Sequence, residues 1–570
     1  MNNQYHKILF EHNVCMTTSD GARLYADVYR PDDDRQHPAI LHREPYSKDL
    51  TVDWGFLNAR EYVLNGFAVV VQDIRGYGVS DGELDMDRGE CRDGCEAVEW
   101  VAAQPWCNGK VCMMGVSYHG STQLQAAQGA PEHLCAIAPF MVMGGHYRFS
   151  IQPNIPGWLY IQFLNAMKLG KREYDPAVEA RMQALVADKA HLYDLPEADS
   201  RLITGIPEIP EIGRQIRNRI RHVGDRDYWT RAGWYVDAGN IQVPCLFGTG
   251  WFDGAKFVTL EHYLNVVNTS QSALARENSR LIIGPWPHGE FVPQVFGGVD
   301  FGLAGDGKHY GVCRKHIEWF RHWALGEDTP FMKEAPVQVF LLGENRWQGY
   351  SAWPPKEAKE REFYLSGGGD AARDMESGSL LAAPAADTVA DHYDYDPADP
   401  VLSDVMDPYC ANISCYIEGS QRRADVAVYT SPVLEKDVTV AGMVRVVLYA
   451  ATSAEDTDFA CRLTDVYPDG RAMFLAQGLV RARYRNGCEK PDFIEPGKIY
   501  EYQIDLSGAG NVFKAGHRIR VDVASSAFPE YDRNHNTKDP VGSGTTLVVA
   551  HQTILHGAEY PSRIILPVIE

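Results

Sequence analysis

The stretch Lys110-Val-Cys-Met-Met-Gly-Val-Ser-Tyr-His-Gly120 decides how this chain is read. Val111–Met114 is an apolar run of strand length, Gly115 and Gly120 punctuate a turn, and Ser121-Thr-Gln-Leu124 opens a helical pattern. Ser117 therefore stands on a turn between a buried strand and a helix. That position lifts a hydroxyl to the carboxyl edge of a sheet and aims the N–H of the next residue, Tyr118, at an atom the hydroxyl attacks. A literal G-x-S-x-G search picks out Ser80 instead, in Gly78-Val-Ser-Asp-Gly82, because His119 occupies the place of the second glycine after Ser117. No helix starts after Ser80, and its acidic, glycine-rich loop offers no array of N–H donors. Ser80 reads as a turn serine and Ser117 as the candidate nucleophile, its rival role being a helix cap.

Composition narrows the function classes. The 570 residues carry 54 Lys plus Arg against 76 Asp plus Glu, a net charge of −22. Nucleic acid and anionic membrane surfaces both call for basic patches, so neither is expected as a partner. The N-terminal stretch lacks the apolar core and cleavage site of a secretory signal, and no apolar run reaches the ~20 residues that span a bilayer. A cytoplasmic protein is expected. The 12 cysteines form no framework. Cys91 and Cys95 share a helix face, but no second ligand pair follows, so they read as free thiols and no metal is expected.

Working outward, Val14–Thr18 and Leu24–Tyr29 form a hairpin around Ser19-Asp-Gly21. Pro38–His42 and Phe67–Val71 read as buried strands, with helices over 59–65 and 93–103. This alternation predicts a parallel sheet covered on both faces by helices. From 145 to 239 the rhythm breaks into Pro-punctuated helical pieces, among them 177–189 and 211–223, read as an insertion over the sheet. Strands resume at Val243–Gly248 and Arg280–Gly284, and a long helix covers Val312–Leu325. After about 333 alternating strands take over, at 337–342, 362–365, 443–450, 458–466, 500–506, 519–523 and 546–549, with an Ala/Asp/Pro-rich loop at 370–400. The predicted division is thus 1–144 and 240–332 for an α/β domain, 145–239 for a helical cap and 333–570 for an all-β domain.

A serine nucleophile needs a base, and the base an orienting carboxylate. Asp253 follows the strand 243–248 in Thr249-Gly-Trp-Phe-Asp-Gly254, and His288 follows the strand 280–284 in Pro285-Trp-Pro-His-Gly289. Other histidines of this half fit less well: His262, His316 and His322 lie on predicted helices, and His309 has no strand directly before it.

These residues carry a resemblance. Ser117-Tyr-His-Gly120, Gly250-Trp-Phe-Asp253 and Gly284-Pro-Trp-Pro-His288 resemble the motifs of the CocE/NonD serine hydrolases, the cocaine esterase and X-prolyl dipeptidyl-peptidase group. So do Arg43-Glu-Pro-Tyr46, Gln72-Asp-Ile-Arg-Gly76 and Phe528-Pro-Glu-Tyr-Asp-Arg-Asn534. The resemblance implies an α/β-hydrolase domain with a helical cap and a C-terminal jelly roll of the galactose-binding-like kind. It implies Ser117 as nucleophile, Asp253 and His288 as its partners, and an oxyanion hole made by the Tyr46 hydroxyl and the Tyr118 N–H. It implies no cofactor, a small-molecule ester or amide as substrate, and leaves self-association open.

Departures from the family pattern are informative. Glu44 stands where members usually have a smaller or apolar residue, and residue 119 varies among them. His119 is a candidate for substrate contact or, preferred here, for capping a helix turn. Members that grip a free α-amino group use acidic residues after the nucleophile's helix. Here Ala138–Phe149 has none, and Arg148 reads as a cap ion-pair partner. Trp158, Phe252 and Trp286 are candidate walls of an acyl pocket. The expected function is ester hydrolysis through an acyl-enzyme. The rivals are an amidase, acylase or Xaa-Pro-type dipeptidyl peptidase and, from another class, a binding protein using the β domain beside an inactive hydrolase half.

Overall fold

The computed structural model describes residues 7–49, 58–83, 85, 87–143, 176–205, 207–208, 210–289, 291, 293–386, 389–404, 414–417 and 419–570. The first sheet contains β1 (Ile8–Thr17), β2 (Arg23–Pro31), β3 (His37–Glu44), β4 (Ala68–Asp73), β5 (Cys107–Val116), β6 (Leu134–Phe140), β7 (Leu246–Phe252), β8 (Arg280–Pro287), β9 (Val337–Leu341) and β10 (Arg346–Tyr350). Their order is β1-β2-β4-β3-β5-β6-β7-β8-β9-β10. The run from β4 to β9 is parallel, and the two edges are antiparallel hairpin-like additions.

The parallel strands are buried on both faces, which is why they read as unbroken apolar runs. Val69, Val70 and Val71 of β4 are all fully buried, and each such side chain contributes about 1.5–3 kcal/mol relative to exposure. On one face lie α1 (Ala59–Leu64) and, later in the chain, the helix Val312–Leu325, which bring Tyr62, Val63, Trp319 and Phe320 against the sheet. On the other lie α2 (Cys91–Ala102), α3 (Tyr118–Ala127) and the helix Lys256–Thr269, with Ala97, Val98, Val101, Leu124, Val258 and Leu260. The second core continues without a break into the C-terminal half.

Among the described residues, both helices named for the expected insertion are present, α4 (Pro176–Ala187) and α5 (Pro210–Arg221), beside the shorter Arg201–Thr204 and Arg226–Arg231; α4 and α5 each open on a proline, whose missing N–H costs nothing there. The insertion is anchored by one carboxylate of the α/β half. Asp87 accepts from the Arg219 guanidinium at 2.7 Å, the Tyr228 hydroxyl at 2.8 Å and the Trp234 indole at 2.9 Å.

The C-terminal half is a second sheet of eleven strands, running from Lys359–Ser366 to Arg563–Ile569. Among the described strands its pairings are antiparallel apart from the parallel contact of Ser379 with Thr430. It bears out the expected all-β half but corrects three details. The stretch 370–400 is not wholly loop: it contains the strands Ser379–Leu381 and Asp391–Tyr395. In the second, Asp391, Tyr393 and Tyr395 are buried and alternate with exposed residues, and the buried Asp391 is satisfied by the Tyr429 hydroxyl and His556. A period of two was there, disguised by a buried carboxylate. The segment 546–549 is not a strand. The ladder begins at Ala550, where residues pair with Asp391–Tyr395 and with Val438–Thr452. Val337–Leu341, read as the start of the β half, instead pairs in parallel with β8 and completes the first sheet. Among the described residues, no helix is long and apolar enough to cross a membrane.

Candidate active site

The sheet's carboxyl edge collects the candidate residues. Ser117, Asp253 and His288 each sit one residue beyond a parallel strand, β5, β7 and β8, and Tyr46 sits two beyond β3. In an open parallel sheet this edge is where the loops converge.

Ser117 takes φ +65° and ψ −128°, a left-handed conformation that is costly for a residue with a side chain. Its N–H donates to the Phe140 carbonyl at 2.9 Å, and its own carbonyl accepts from Gly120 N–H at 2.9 Å, so the turn is held from both sides. Gly115 makes the turn possible: a Cβ there would stand 2.3 Å from the Cβ of His119. The first glycine of the pattern therefore gives the room that lets a histidine replace the second. Every residue of α3 is buried. Gln123 stitches it to the sheet, donating to the Gly115 carbonyl at 3.3 Å and accepting from Ala138 N–H at 2.9 Å.

The Ser117 hydroxyl lies 2.9 Å from His288 Nε2, and His288 Nδ1 lies 2.8 Å from Asp253 Oδ1. Asp253 is held further by the Ala255 N–H at 2.8 Å on Oδ1 and by the Thr249 hydroxyl at 2.8 Å on Oδ2. These contacts fix the imidazole with Nδ1 protonated and Nε2 free to accept. Thr249 and Ala255 were not singled out from sequence; the glycine-bounded turn around Asp253 was the only signal of such a carboxylate cradle.

Tyr46 is bonded to the Ser117 side chain. Burial, then the charge of Glu44, push its hydroxyl well above the ordinary phenol range despite that bond, so it stays a donor. Tyr118 is the first residue of α3, so its N–H has no acceptor within the helix. Its ring is buried and meets Trp234 of the insertion edge-on at 5.4 Å.

Ser80, read as a turn serine, is buried and structural: its hydroxyl donates to the Asp73 carbonyl at 2.8 Å and accepts from Tyr25 N–H at 2.9 Å. Other expectations are corrected. His119, taken as a substrate contact or a cap of the helix turn, is fully buried, with Nε2 2.9 Å from Glu44 and Nδ1 2.7 Å from the Val116 carbonyl, and so links α3 to β3. Trp286 is core and not a pocket wall: it is fully buried, donates its indole N–H to Gly305 at 2.8 Å and packs on Phe291 and Trp347. Phe252 packs on Phe296 and Phe301. It borders a cavity of about 300 Å³ between the two halves of the molecule, which Asp253 and Lys256 line but Ser117 and His288 do not. Trp158 and Arg148 lie outside the described residues.

Comparison with known proteins gives the chain a family. Residues 20–290 match the model of the X-Pro dipeptidyl-peptidase (S15 family), and residues 329–565 that of the X-Pro dipeptidyl-peptidase C-terminal non-catalytic domain. The cocaine esterase of Rhodococcus sp. (strain MB1 Bresler) is 34% identical, over 98% of this chain and 98% of that protein. The chain belongs to the CocE/NonD family of hydrolases. Solved structures share its whole fold. An α-amino acid ester hydrolase superposes with a TM-score of 0.81 at 23% identity, covering 100% of this chain and 98% of that one. A CocE/NonD family hydrolase from Staphylococcus aureus gives 0.69 at 18% identity, covering 99% and 94%. Family membership makes this CocE/NonD chain a serine hydrolase; the bond it cleaves and the substrate that carries it are matters for the site.

Proposed function

We propose that this CocE/NonD hydrolase cleaves carboxylic esters of small molecules through an acyl-enzyme on Ser117. The observation that carries the reading is the unbroken hydrogen-bonded line from Asp253 through His288 to Ser117, with Tyr46 bonded to the same hydroxyl. His288 Nε2 takes the Ser117 proton as Oγ attacks the ester carbonyl. The oxyanion that forms is held by the Tyr46 hydroxyl and the Tyr118 N–H. The protonated imidazole, steadied by Asp253, then gives its proton to the departing alkoxide. Water repeats the sequence on the acyl-enzyme and frees the acid. No proton is left over after a turnover.

Esters without a free α-amino group fit best. Ala138–Phe149 follows the nucleophile's helix and carries no carboxylate to receive an ammonium. The test is hydrolysis of p-nitrophenyl acetate and butyrate beside Ala-Pro-p-nitroanilide and acyl amides. Esters are expected to be turned over by the wild type and not by Ser117→Ala. Preferred cleavage of the Xaa-Pro anilide would overturn the ester reading, and full esterase activity in Ser117→Ala would overturn the mechanism. Labelling by a fluorophosphonate probe separates both from an inactive binding protein.

A further inference from the structure

Against Tyr46 lies a buried cluster that the acyl-transfer steps leave unused. His42 and Glu44 point to the same face of β3, as alternate residues of a strand do, and His119 meets them from the first turn of α3. None is more than 3% exposed. Glu44 Oε1 accepts the Tyr46 backbone N–H at 2.6 Å. Glu44 Oε2 faces His119 Nε2 at 2.9 Å and His42 Nε2 at 3.3 Å. The two imidazoles stack with centroids 4.3 Å apart, and His119 meets the Tyr46 ring edge-on at 5.2 Å.

Proton accounting shows what holds this cluster. His119 Nδ1 points at the Val116 carbonyl and His42 Nδ1 at the Met114 carbonyl. A carbonyl only accepts, so each Nδ1 carries a hydrogen. Both Nε2 atoms face Glu44 Oε2: the 2.9 Å contact from His119 requires one further proton between them, giving a charge-assisted bond in dry surroundings, while burial and the His119 charge hold His42 below the usual imidazole range, so its Nε2 stands off at 3.3 Å without one. Burial pushes the Glu44 carboxyl up, but the charge and hydrogen bond of His119, aided by His42, outweigh it and hold it below the usual carboxylate range. A metal ion could join the same three atoms, but two stacked rings only 27° from parallel do not aim their lone pairs at one point, and the 2.9 Å between His119 Nε2 and Glu44 Oε2 is a hydrogen-bond distance, shorter than the roughly 3.3 Å between ligands on a tetrahedral zinc.

We propose that Glu44 and His119 are positioning residues for the oxyanion hole. Glu44 clamps the backbone that carries Tyr46. His119 supports the Tyr46 ring and, through the Val116 carbonyl, ties it to the turn that carries Ser117 and Tyr118. The two oxyanion donors come from different elements, after β3 and after β5, and this clamp fixes the distance between them. The inference rests on Ser117 as nucleophile and Tyr46 as oxyanion donor.

The test is a double-mutant cycle on p-nitrophenyl acetate with wild type, Tyr46→Phe, Glu44→Ala, Glu44→Gln and the Glu44→Ala/Tyr46→Phe pair. Glu44→Ala is expected to lower kcat about 10-fold or more with KM changed less than about twofold. Glu44→Gln, whose amide can accept from Tyr46 N–H and donate to His119, is expected to recover kcat to within about threefold of wild type. On Tyr46→Phe, Glu44→Ala should add less than about threefold, because it acts through a hydroxyl already gone. Losses that multiply in the double variant, or an unimpaired Glu44→Ala beside an impaired Tyr46→Phe, would overturn the proposal. So would one equivalent of divalent metal in the purified wild type by elemental analysis. Should Glu44→Ala show no cooperative thermal transition, His119→Gln keeps a donor for Glu44 while removing the ring on Tyr46, and is read in the same way. Unimpaired Ser117→Ala or Tyr46→Phe would instead sink the underlying mechanism.

Discussion

Two serine turns leave the carboxyl edge of the same sheet, on either side of β3, and they make opposite use of one residue type. After β4, Ser80 turns inward and spends its hydroxyl on backbone groups of Asp73 and Tyr25. After β5, Ser117 adopts a left-handed backbone, and its hydroxyl goes to His288 and Tyr46. The Ser80 loop has the better match to the short pattern, with glycines at both flanking places. What separates them is the helix: α3 begins at Tyr118, directly after Ser117, whereas Gly82 leads into an irregular loop. The chain around Ser117 satisfies its own backbone and leaves the hydroxyl for other partners, which is what the proposed nucleophile requires.

The sharpest way to break this comparison is Ser117→Ala, expected to cost about 10⁴-fold or more in kcat for ester hydrolysis, measured with p-nitrophenyl butyrate. Asp253→Asn should follow, at about 10³–10⁴-fold, because an amide facing Nδ1 can hold the wrong tautomer of His288; a loss below tenfold would remove Asp253 from the mechanism. Tyr46→Phe is expected to cost about 10²–10³-fold in kcat with little change in KM, the loss of one oxyanion donor. Ser80→Ala supplies the contrast. Its kcat should stay within about twofold of wild type, while unfolding by denaturant shows a loss of about 0.5–1.5 kcal/mol for the part-buried Tyr25 N–H that loses its Ser80 acceptor.

The smallest expected effect concerns the surroundings of Asp253. Lys256 is buried, with its ammonium 3.4 Å from the Leu475 carbonyl and 5.5 Å from the Trp251 ring centroid. Burial lowers its pKa from 10.5 to about 8, with Asp253 and Glu530 pulling the other way. A lysine whose folded pKa lies below its unfolded one opposes folding while it is charged. That cost is complete below pH 8 and fades as pH rises to 10.5. Lys256→Met should therefore stabilise the protein at pH 7 by up to about 3 kcal/mol, with the gain gone near pH 10.5. Unfolding curves at the two pH values check this; an equal gain at both would refer the effect to packing alone.

Much of the site was legible because its residues are tied to local signals. Ser117, Asp253 and His288 each follow an apolar run that ends abruptly at glycine or proline, and their chain order is that of the resemblance. The walls of the pocket were not legible in the same way. Trp286 and Phe252 neighbour the motif residues in sequence, yet alternation along a strand turns them away from the serine, into the core and toward the β half. The stretch 391–395 hid its period of two behind Asp391, whose burial depends on Tyr429 and His556, far along the chain.

By itself, the sequence determined the parallel sheet, the turn that lifts Ser117, the identities of its partners and the all-β character of the second half. Those features are encoded in runs of about ten residues, where hydrophobic period and turn chemistry speak without help from distant neighbours. Only the tertiary structure decided that Val337–Leu341 completes the first sheet, that Trp286 is core, and that His119 meets Glu44. A buried charge is tolerable only beside its partner. Glu44 and His119 are 75 residues apart, and it took the packing of α3 against β3 to bring them together.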